Sequence, residues 1–333
     1  MMLWGKLNLT LDYYWERRKD ILIQRSSLPS MAGFDASIYA NMGEMDNKGV
    51  DANLEYQTRI GNKVGLRLFG NLTYSKNKIV FRDEPAMQYA YQKSEGTRYG
   101  EFYGYIAEGY FQSEEEIKKS PRQMRELAPG DIKYKDLNDD GVIDANDQCY
   151  LGKSWFPSWS YGMGFNINYH NFDLALFFQG VSDVSIMANG GSIDTGNGDW
   201  GASGVGIVPF TGMGLNPSNV ITKALDRWTA DNPRADAWYP RMTANATTND
   251  NNYVNSTHWL KDGSYLRLKQ ASLGYTLENK KLMDKGIEYL YFYLSGQNLL
   301  TFSKFKLWDP ELGSNGAKYP LSRMVTLGMR VSF

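Results

Sequence analysis

A period of two, repeated over eight stretches, constrains this chain more than any other feature. The last ten residues read M-V-T-L-G-M-R-V-S-F. Val325, Leu327, Met329, Val331 and Phe333 alternate there with Thr326, Gly328, Arg330 and Ser332. Successive side chains of a strand point to opposite faces, so one face of this segment is apolar throughout and the other is small or polar. A helix would scatter the same residues around its circumference.

The pattern recurs upstream. Leu3, Gly5, Leu7, Leu9, Leu11 and Tyr13 share a face within Leu3–Tyr14, and Val50, Ala52, Leu54 and Tyr56 share one within Gly49–Arg59. After a tight turn at Ile60-Gly61-Asn62-Lys63, Val64, Leu66, Leu68, Leu72 and Tyr74 oppose Arg67, Asn71, Thr73 and Ser75. Trp159 to Tyr169 alternates again, turns at His170-Asn171, and continues as Phe172, Leu174, Leu176 and Phe178, with Phe177 interrupting the polar face. Ser264–Thr276 slips phase between Leu268 and Ala271, which predicts a bulge near Gln270. Leu290, Phe292 and Leu294 alternate with Tyr289, Tyr291 and Tyr293 before the terminal strand.

The joins are as informative as the strands. Short ones fall at Gly61-Asn62, at His170-Asn171 and over Glu278–Gly286. Long ones run over Trp15–Asp46, Lys76–Pro157, Gly180–Gly263 and Asn298–Arg323. In an up-and-down antiparallel sheet every long connection then lies at one edge, which is the asymmetry of outer-membrane barrels. Most of the strands also approach the ~9–11 residues needed to cross a bilayer obliquely. No apolar run nears the ~18 residues of a membrane helix, and the mean hydropathy is -0.49. The expected fold class is therefore all-β, a transmembrane antiparallel up-and-down β-barrel segment of about eight long strands with long extracellular loops. A strand that closes on a terminal aromatic resembles the insertion signal of Gram-negative barrels. Two large loop insertions are expected, 76–157 and 180–263, with short helices at Ser113–Leu127 and Ser218–Trp228. The opening Met1-Met2-Leu3-Trp4-Gly5-Lys6 lacks the regions of a signal peptide.

One stretch carries recognisable chemistry. In Asp136–Asp147, positions one, three and five of a calcium loop are Asp136, Asn138 and Asp140, and Gly141 takes the sharp turn at six. Val142 offers its carbonyl at seven, Asp144 stands at nine and Asp147 at twelve. A hard cation needs about six to eight oxygens, and this spacing can bring that many to one point. Position twelve is aspartate where an EF-hand has glutamate, and the flanks are not a helix pair. The expected role is structural: calcium stiffening an external loop, with Ile143 as its anchor.

Other chemistry is sparse. The formal net charge of -1 and the lack of a basic tract give no electrostatic case for nucleic acid. The two histidines, His170 and His258, lack metal spacing, and Cys149 is the only cysteine and has no catalytic partner nearby in sequence. No catalytic residues are expected, and no cofactor beyond calcium. Trp200, Trp228, Trp238 and Trp259 fit either sugar stacking or the packing of a loop domain.

Five ordered motifs carry a family resemblance: Asn47-Lys48-Gly49-Val50; Gly130-Asp131-Ile132-Lys133-Tyr134-Lys135-Asp136; Phe177-Phe178-Gln179-Gly180; Ser264-Tyr265-Leu266-Arg267-Leu268-Lys269; and Ser295-Gly296-Gln297-Asn298-Leu299-Leu300-Thr301. Over its whole length the chain resembles the carboxy-terminal part of SusC/RagA TonB-linked (TonB-dependent) outer-membrane transporters. The resemblance implies a barrel of about 22 strands filled by an amino-terminal plug, neither plug nor signal peptide being expected within 1–333. It also implies a TonB contact outside this stretch, a SusD-like surface lipoprotein as partner, outer-membrane lipid around the wall, and an oligosaccharide or peptide as cargo. Asp51, Asn53, Glu55, Arg67, Asn71 and Arg330 would then face the lumen. Two other readings of the strands remain: a self-closing eight-stranded barrel with calcium-stabilised adhesive loops, and a secreted calcium-dependent glycan-binding β-protein.

Overall fold

The structure, a computed structural model, describes residues 2–3, 6–27, 37–61, 63–189, 222–242, 250–314, 316 and 319–333. In chain order the strands are β1 (Met2–Leu3), β2 (Leu7–Gln24), β3 (Tyr39–Ile60), β4 (Val64–Phe81), β5 (Glu101–Gly104), β6 (Ala107–Tyr110), β7 (Ile132–Tyr134), β8 (Cys149–Ser154), β9 (Trp159–Tyr169), β10 (Phe172–Ser182), β11 (Ser185–Met187), β12 (Leu260–Asp262), β13 (Tyr265–Leu277), β14 (Tyr289–Ser303) and β15 (Met324–Ser332). The helices are α1 (Glu114–Lys119), α2 (Asp250–Tyr253) and α3 (Lys280–Met283), and none is long and apolar enough to cross a membrane.

Nine strands form one antiparallel sheet in the order β1-β2-β3-β4-β9-β10-β13-β14-β15. Each long strand pairs with the next long strand in the sequence, the meander that the alternating short and long joins predict. Among the described residues β15 bonds only to β14, so β15 and the β1–β2 side are the two ends of an open sheet. The eight-stranded barrel closed on itself is not the arrangement adopted.

The register carries the alternation across every strand. Leu9 lies beside Leu54 and Leu54 beside Gly70. Leu68 lies beside Phe165, Phe165 beside Leu176, and Leu176 beside Ala271. Leu273 lies beside Leu294, and Leu294 beside Leu327. Apolar residues thus line one face of the sheet from end to end, and that face is uncovered: Leu327 is 81% exposed and Leu11 66%. The buried apolar residues are nearly all in the connections, with Ile79, Tyr265 and Leu268 the exceptions from the sheet. A water-soluble sheet does the opposite, and so wide an apolar face needs a non-aqueous neighbour.

The expected bulge in β13 is present one residue away. Phe178 pairs with Leu268 and Phe177 with Gln270, leaving Lys269 as the extra residue against β10. The extra residue restores phase, so Leu266 and Leu268 stay on the same face as Ala271, Leu273 and Tyr275.

The first long connection is shorter than the sequence predicts. Trp15–Asp46 is not a loop: β2 runs on to Gln24 and β3 begins at Tyr39. These outer halves stand in water on both sides, so their pairing needs no apolar alternation to report it. Ladder pairs such as Glu16 with Asn47 and a 2.7 Å Arg17–Glu44 ion pair hold them instead. The register shifts twice near Asp20, which takes a left-handed φ of 56°. The helix expected over Ser113–Leu127 is only α1, capped by the Ser113 side chain and ended at Ser120 before Pro121. Of the helix expected at Ser218–Trp228, Thr222–Leu225 forms one 3-10 turn, and residues 218–221 lie outside the described residues.

Placing a charge on the outer face should cost far more than placing it on the inner face of the same strand. Leu68→Lys is expected to lower unfolding stability in lipid vesicles by about 2–4 kcal/mol, whereas Thr73→Lys on the opposite face should change it little. Denaturant titration of both variants in vesicles checks this, and equal losses would contradict the assignment of faces.

Candidate functional site

The chemistry-bearing residues lie in two places, the inner face of the sheet and a packed unit built from its long connections. The two largest connections fold together. Strand β5 pairs with β8, β6 with β7 and β11 with β12, and Tyr105 bridges to Ser256 across the two connections. Their shared core is Phe102, Tyr105, Tyr110, Ile132, Tyr134, Ile143, Met187, Ala224, Trp228, Ala237, Tyr239 and Trp259. Trp228 and Trp259 are therefore core residues and present no face to a ligand. Trp238 is half-buried, and Trp200 lies outside the described residues.

A buried polar network locks the two connections. Asp131, 2% exposed, accepts a 2.9 Å bond from Arg241 Nη2 and a 2.7 Å bond from Asn252 Nδ2. The Ile132 amide donates to Asn252 Oδ1 at 2.8 Å, and Tyr134 Oη donates to the Asn251 carbonyl at 2.6 Å. Both Asp131 oxygens are thus engaged, as burial requires, and Arg241 Nε also lies 2.6 Å from Asp131 Oδ1. The sequence motif Gly130-Asp131-Ile132-Lys133-Tyr134 thus serves to clasp one connection to the other. Gly130 has φ +90°, and a Cβ there would strike the Trp228 ring at 2.5 Å or less.

The Asp136–Asp147 loop leaves this unit between β7 and β8. Gly141, at φ +81°, makes the turn, and its amide donates to Asp136 Oδ2 at 2.8 Å. The Val142 amide donates to Asp140 Oδ1 at 2.8 Å, and the Asp140 amide to Asn138 Oδ1 at 3.2 Å. Asp144 caps a 3-10 turn over Ala145–Asp147. Asp147, fully buried, accepts from the Leu137 amide at 2.7 Å and from the Asp144 amide at 2.9 Å. Ile143 is buried in the shared core, as the sequence predicts. The six predicted ligand residues thus share one tight loop, with most of their oxygens accepting loop amides. Among the described residues no three His, Cys, Asp or Glu side chains converge as a ready cage. One atom fits a cation: Asp136 Oδ1 is buried and has no hydrogen-bond partner.

On the inner face, register places Asp51, Asn53, Glu55, Arg67, Asn71 and Arg330 on the side opposite the apolar residues. Arg67 pairs with Glu55 at 2.6 Å and lies over the Phe69 ring. Tyr291 donates to Asp173 Oδ2 at 3.0 Å, and Arg330 lies over its ring. Sequence reading missed the aromatic part of this face. Phe69 and Phe177 flank Gly164 on either side and stack at 6.0 Å, and a Cβ on Gly164 would meet Phe69 Cζ at 2.5 Å. The available signal was Gly164 standing opposite Phe177, the residue that broke the alternation. At the outer end, Arg267, 1% exposed, reaches Asp309 at 2.6 Å, and Tyr265 Oη donates to Glu311 at 2.7 Å. This fastens the β14–β15 connection to β13.

Two groups in the unit are set by burial. The buried Cys149 thiol is pushed up, which suits an inert role. His258 packs edge-on against Trp259 and Tyr110, with Nε2 3.2 Å from the Trp238 carbonyl. Burial, aided by the Lys261 ammonium, holds its imidazole down to about 4.

No protein-family profile matches the chain. TonB-dependent receptor P3 of Formosa agariphila is 27% identical over 357 aligned residues, which cover 99% of this chain and 32% of the relative. TonB-dependent receptor SusC of Bacteroides thetaiotaomicron is 22% identical over 99% of this chain and 30% of its own length. The chain therefore spans about a third of the curated relatives it matches. Among solved structures, the RagAB peptide importer in its open-open state superposes with a TM-score of 0.70 at 23% identity, over 99% of this chain and 33% of that one. The RagAB peptide transporter gives 0.71 at 22% identity. These likenesses support the transmembrane barrel fold drawn from the alternation.

The external unit should loosen in acid. Below about pH 6.5 an unfolded chain protonates His258, while the folded unit keeps it neutral until about 4. Stability that is full above pH 6.5 is therefore lost progressively as pH falls toward 4, and no further below that. The melting midpoint of the unit's tryptophan fluorescence, followed from pH 7 to 4, should fall across this window, and His258→Gln should flatten the fall. An unchanged slope in the variant would contradict it.

Proposed function

We propose that this chain, similar over its whole length to TonB-dependent receptors of the SusC/RagA type, forms part of the wall and the external mouth of an energy-coupled nutrient importer in the outer membrane. The whole protein would close a larger barrel by pairing both open ends of this sheet, and a plug would meet the polar inner face around Glu55, Arg67, Tyr291 and Arg330. Cargo would be an oligosaccharide or a peptide, delivered by a SusD-like surface lipoprotein seated on the external unit. Energy would come from a TonB complex acting elsewhere on the protein. No covalent step is asked of this chain: its work is binding, gating and support.

The observation that supports this reading best is the division of labour within one chain. The sheet turns an uncovered apolar face outward and a wet face inward, and both large connections gather into one packed unit at the same end. An adhesive barrel would not need an open sheet, and a secreted glycan-binding protein would not need the apolar face. Growth of a deletion strain tests the proposal. Loss of growth on one class of oligosaccharide or peptide, restored by the intact gene, is expected. Growth unaffected on every oligomer of both kinds would overturn it.

Calcium belongs to this proposal as a structural ion. Asp136, Asn138, Asp140, Asp144 and Asp147, with the Val142 carbonyl, would hold it. The buried, unpartnered Asp136 Oδ1 supports this, as does the hard oxygen chemistry of the set. Bound there, the ion would neutralise the crowded carboxylates and stiffen the unit through Ile143. Chelation is expected to speed proteolysis within 136–147 and to lower the melting midpoint of the unit. Added calcium should reverse both effects in the native protein and fail to do so in Asp136→Asn. Identical proteolysis with and without calcium would remove the ion from the account.

A further inference from the structure

A cleft of about 790 Å³ on the external unit belongs to neither the 136–147 loop nor the inner face. Three segments line it: the 3-10 turn at Thr222–Leu225, the β12 strand, and the start of the β14–β15 connection. Four lysines face it, Lys223, Lys261, Lys304 and Lys306, against two aspartates, Asp226 and Asp262. Both aspartates are engaged. Asp226 pairs with Lys223 at 2.7 Å and with Arg234 at 3.2 Å, and Asp262 lies 4.0 Å from Lys304.

Two lysines are left without a carboxylate. Lys306 is exposed and makes no ion pair among the described residues. Lys261 is half-buried: its ammonium donates to the His258 carbonyl at 2.6 Å and lies 5.1 Å from the centre of the Trp238 ring. Burial and the neighbouring Lys223 depress its titration to about 8, the signature of a cation short of compensating charge. The remainder of the lining is aliphatic and aromatic: Leu225, Leu307 and Phe305.

We propose that this cleft binds an acidic peptide segment, with side-chain carboxylates on Lys261 and Lys306 and apolar side chains on Leu225 and Leu307. The lining selects a peptide over an acidic sugar on chemical grounds. Sugar hydroxyls require donors and acceptors side by side, and the acceptors here are already tied to lysines. Stacking a sugar requires a free aromatic face, and the indole of this cleft carries the Lys261 ammonium over its ring. Lysine ammoniums are donor-only point charges, suited to carboxylates presented on a flexible strand.

The inference rests on the import reading and narrows its cargo to acidic peptide. The test uses the protein in detergent micelles and three probes: a hexapeptide alternating Glu and Leu, the same peptide with Gln for Glu, and hexagalacturonate. The Glu-Leu peptide should bind and quench tryptophan fluorescence, and the affinity should drop steeply between 50 and 200 mM salt. The Gln peptide should bind at least tenfold more weakly. Lys306→Glu, at an exposed position, should weaken the acidic peptide about tenfold, and Lys261→Met should do the same while leaving the melting midpoint near that of the native protein. Equal or tighter binding of hexagalacturonate would overturn the peptide assignment. Failure of the Glu-Leu peptide to bind, or indifference to Lys306→Glu, would overturn the site. Neither result touches the growth phenotype that tests import, so the two readings fail separately.

Discussion

Hydrocarbon offers a peptide backbone no hydrogen-bond partner, so a chain that crosses it must satisfy every amide and carbonyl internally. A sheet achieves this through its neighbours, and its two faces can then meet different solvents. The rest of this molecule follows from that requirement. Each strand in the bilayer pairs on both sides except at the two ends of the sheet. The apolar face can be left uncovered because lipid covers it, and the usual hydrophobic core is therefore displaced into the connections, where water returns. Phe102, Tyr134, Tyr239 and Trp259 do for the external unit what a sheet-on-sheet interior does for a soluble protein.

Glycine and aromatic residues solve the problem of the inner face. A lumen wall of small residues would leave hollows over the glycines, and large rings on neighbouring strands lie across them. Phe69 and Phe177 cover Gly164, Tyr291 covers Gly274, and Tyr293 covers Gly328. Cation-ring contacts then set Arg67 over Phe69 and Arg330 over Tyr291, leaving the charges on a flat, hydrated surface. Above the sheet, Asp131 with Arg241 and Arg267 with Asp309 fasten the connections to each other and to the wall. At the end of β2, Arg25 pairs with the buried Asp83 at 3.2 Å, and the Ser27 hydroxyl donates to the same carboxylate at 2.6 Å.

What the sequence made legible follows the solvent. Where one face meets lipid and the other water, period two is strong, and the strands at Trp159–Tyr169 and Met324–Phe333 could be read almost to the residue, whereas β4 starts at Val64 as read but runs past Ser75 to Phe81. Where both faces meet water the signal vanishes, and so β2 and β3 extend well past Tyr14 and before Gly49 without announcing it. The bulge at Lys269 was readable because it corrects a phase error that would otherwise put Leu266 and Leu268 on the wet side. The Asp136–Asp147 loop was readable because its turn is set by local spacing. The clasp at Asp131, the Arg267 anchor and the lysine cleft were not, since each joins residues more than 40 positions apart with no local pattern.

Solvent access along β13 tests the central claim most directly, because the bulge makes its pattern distinctive. Single nitroxide labels would be placed from residue 266 to residue 275 in a Cys149→Ala background, with the protein in lipid vesicles. Collision rates with oxygen and with a water-soluble nickel chelate would then be compared at each site. Oxygen should dominate at 266 and 268, then at 271, 273 and 275, with the even-to-odd switch falling at Lys269. Nickel should dominate at 267, 270, 272 and 274. Uniform access to nickel along the strand, or an alternation that keeps one parity throughout, would contradict the account.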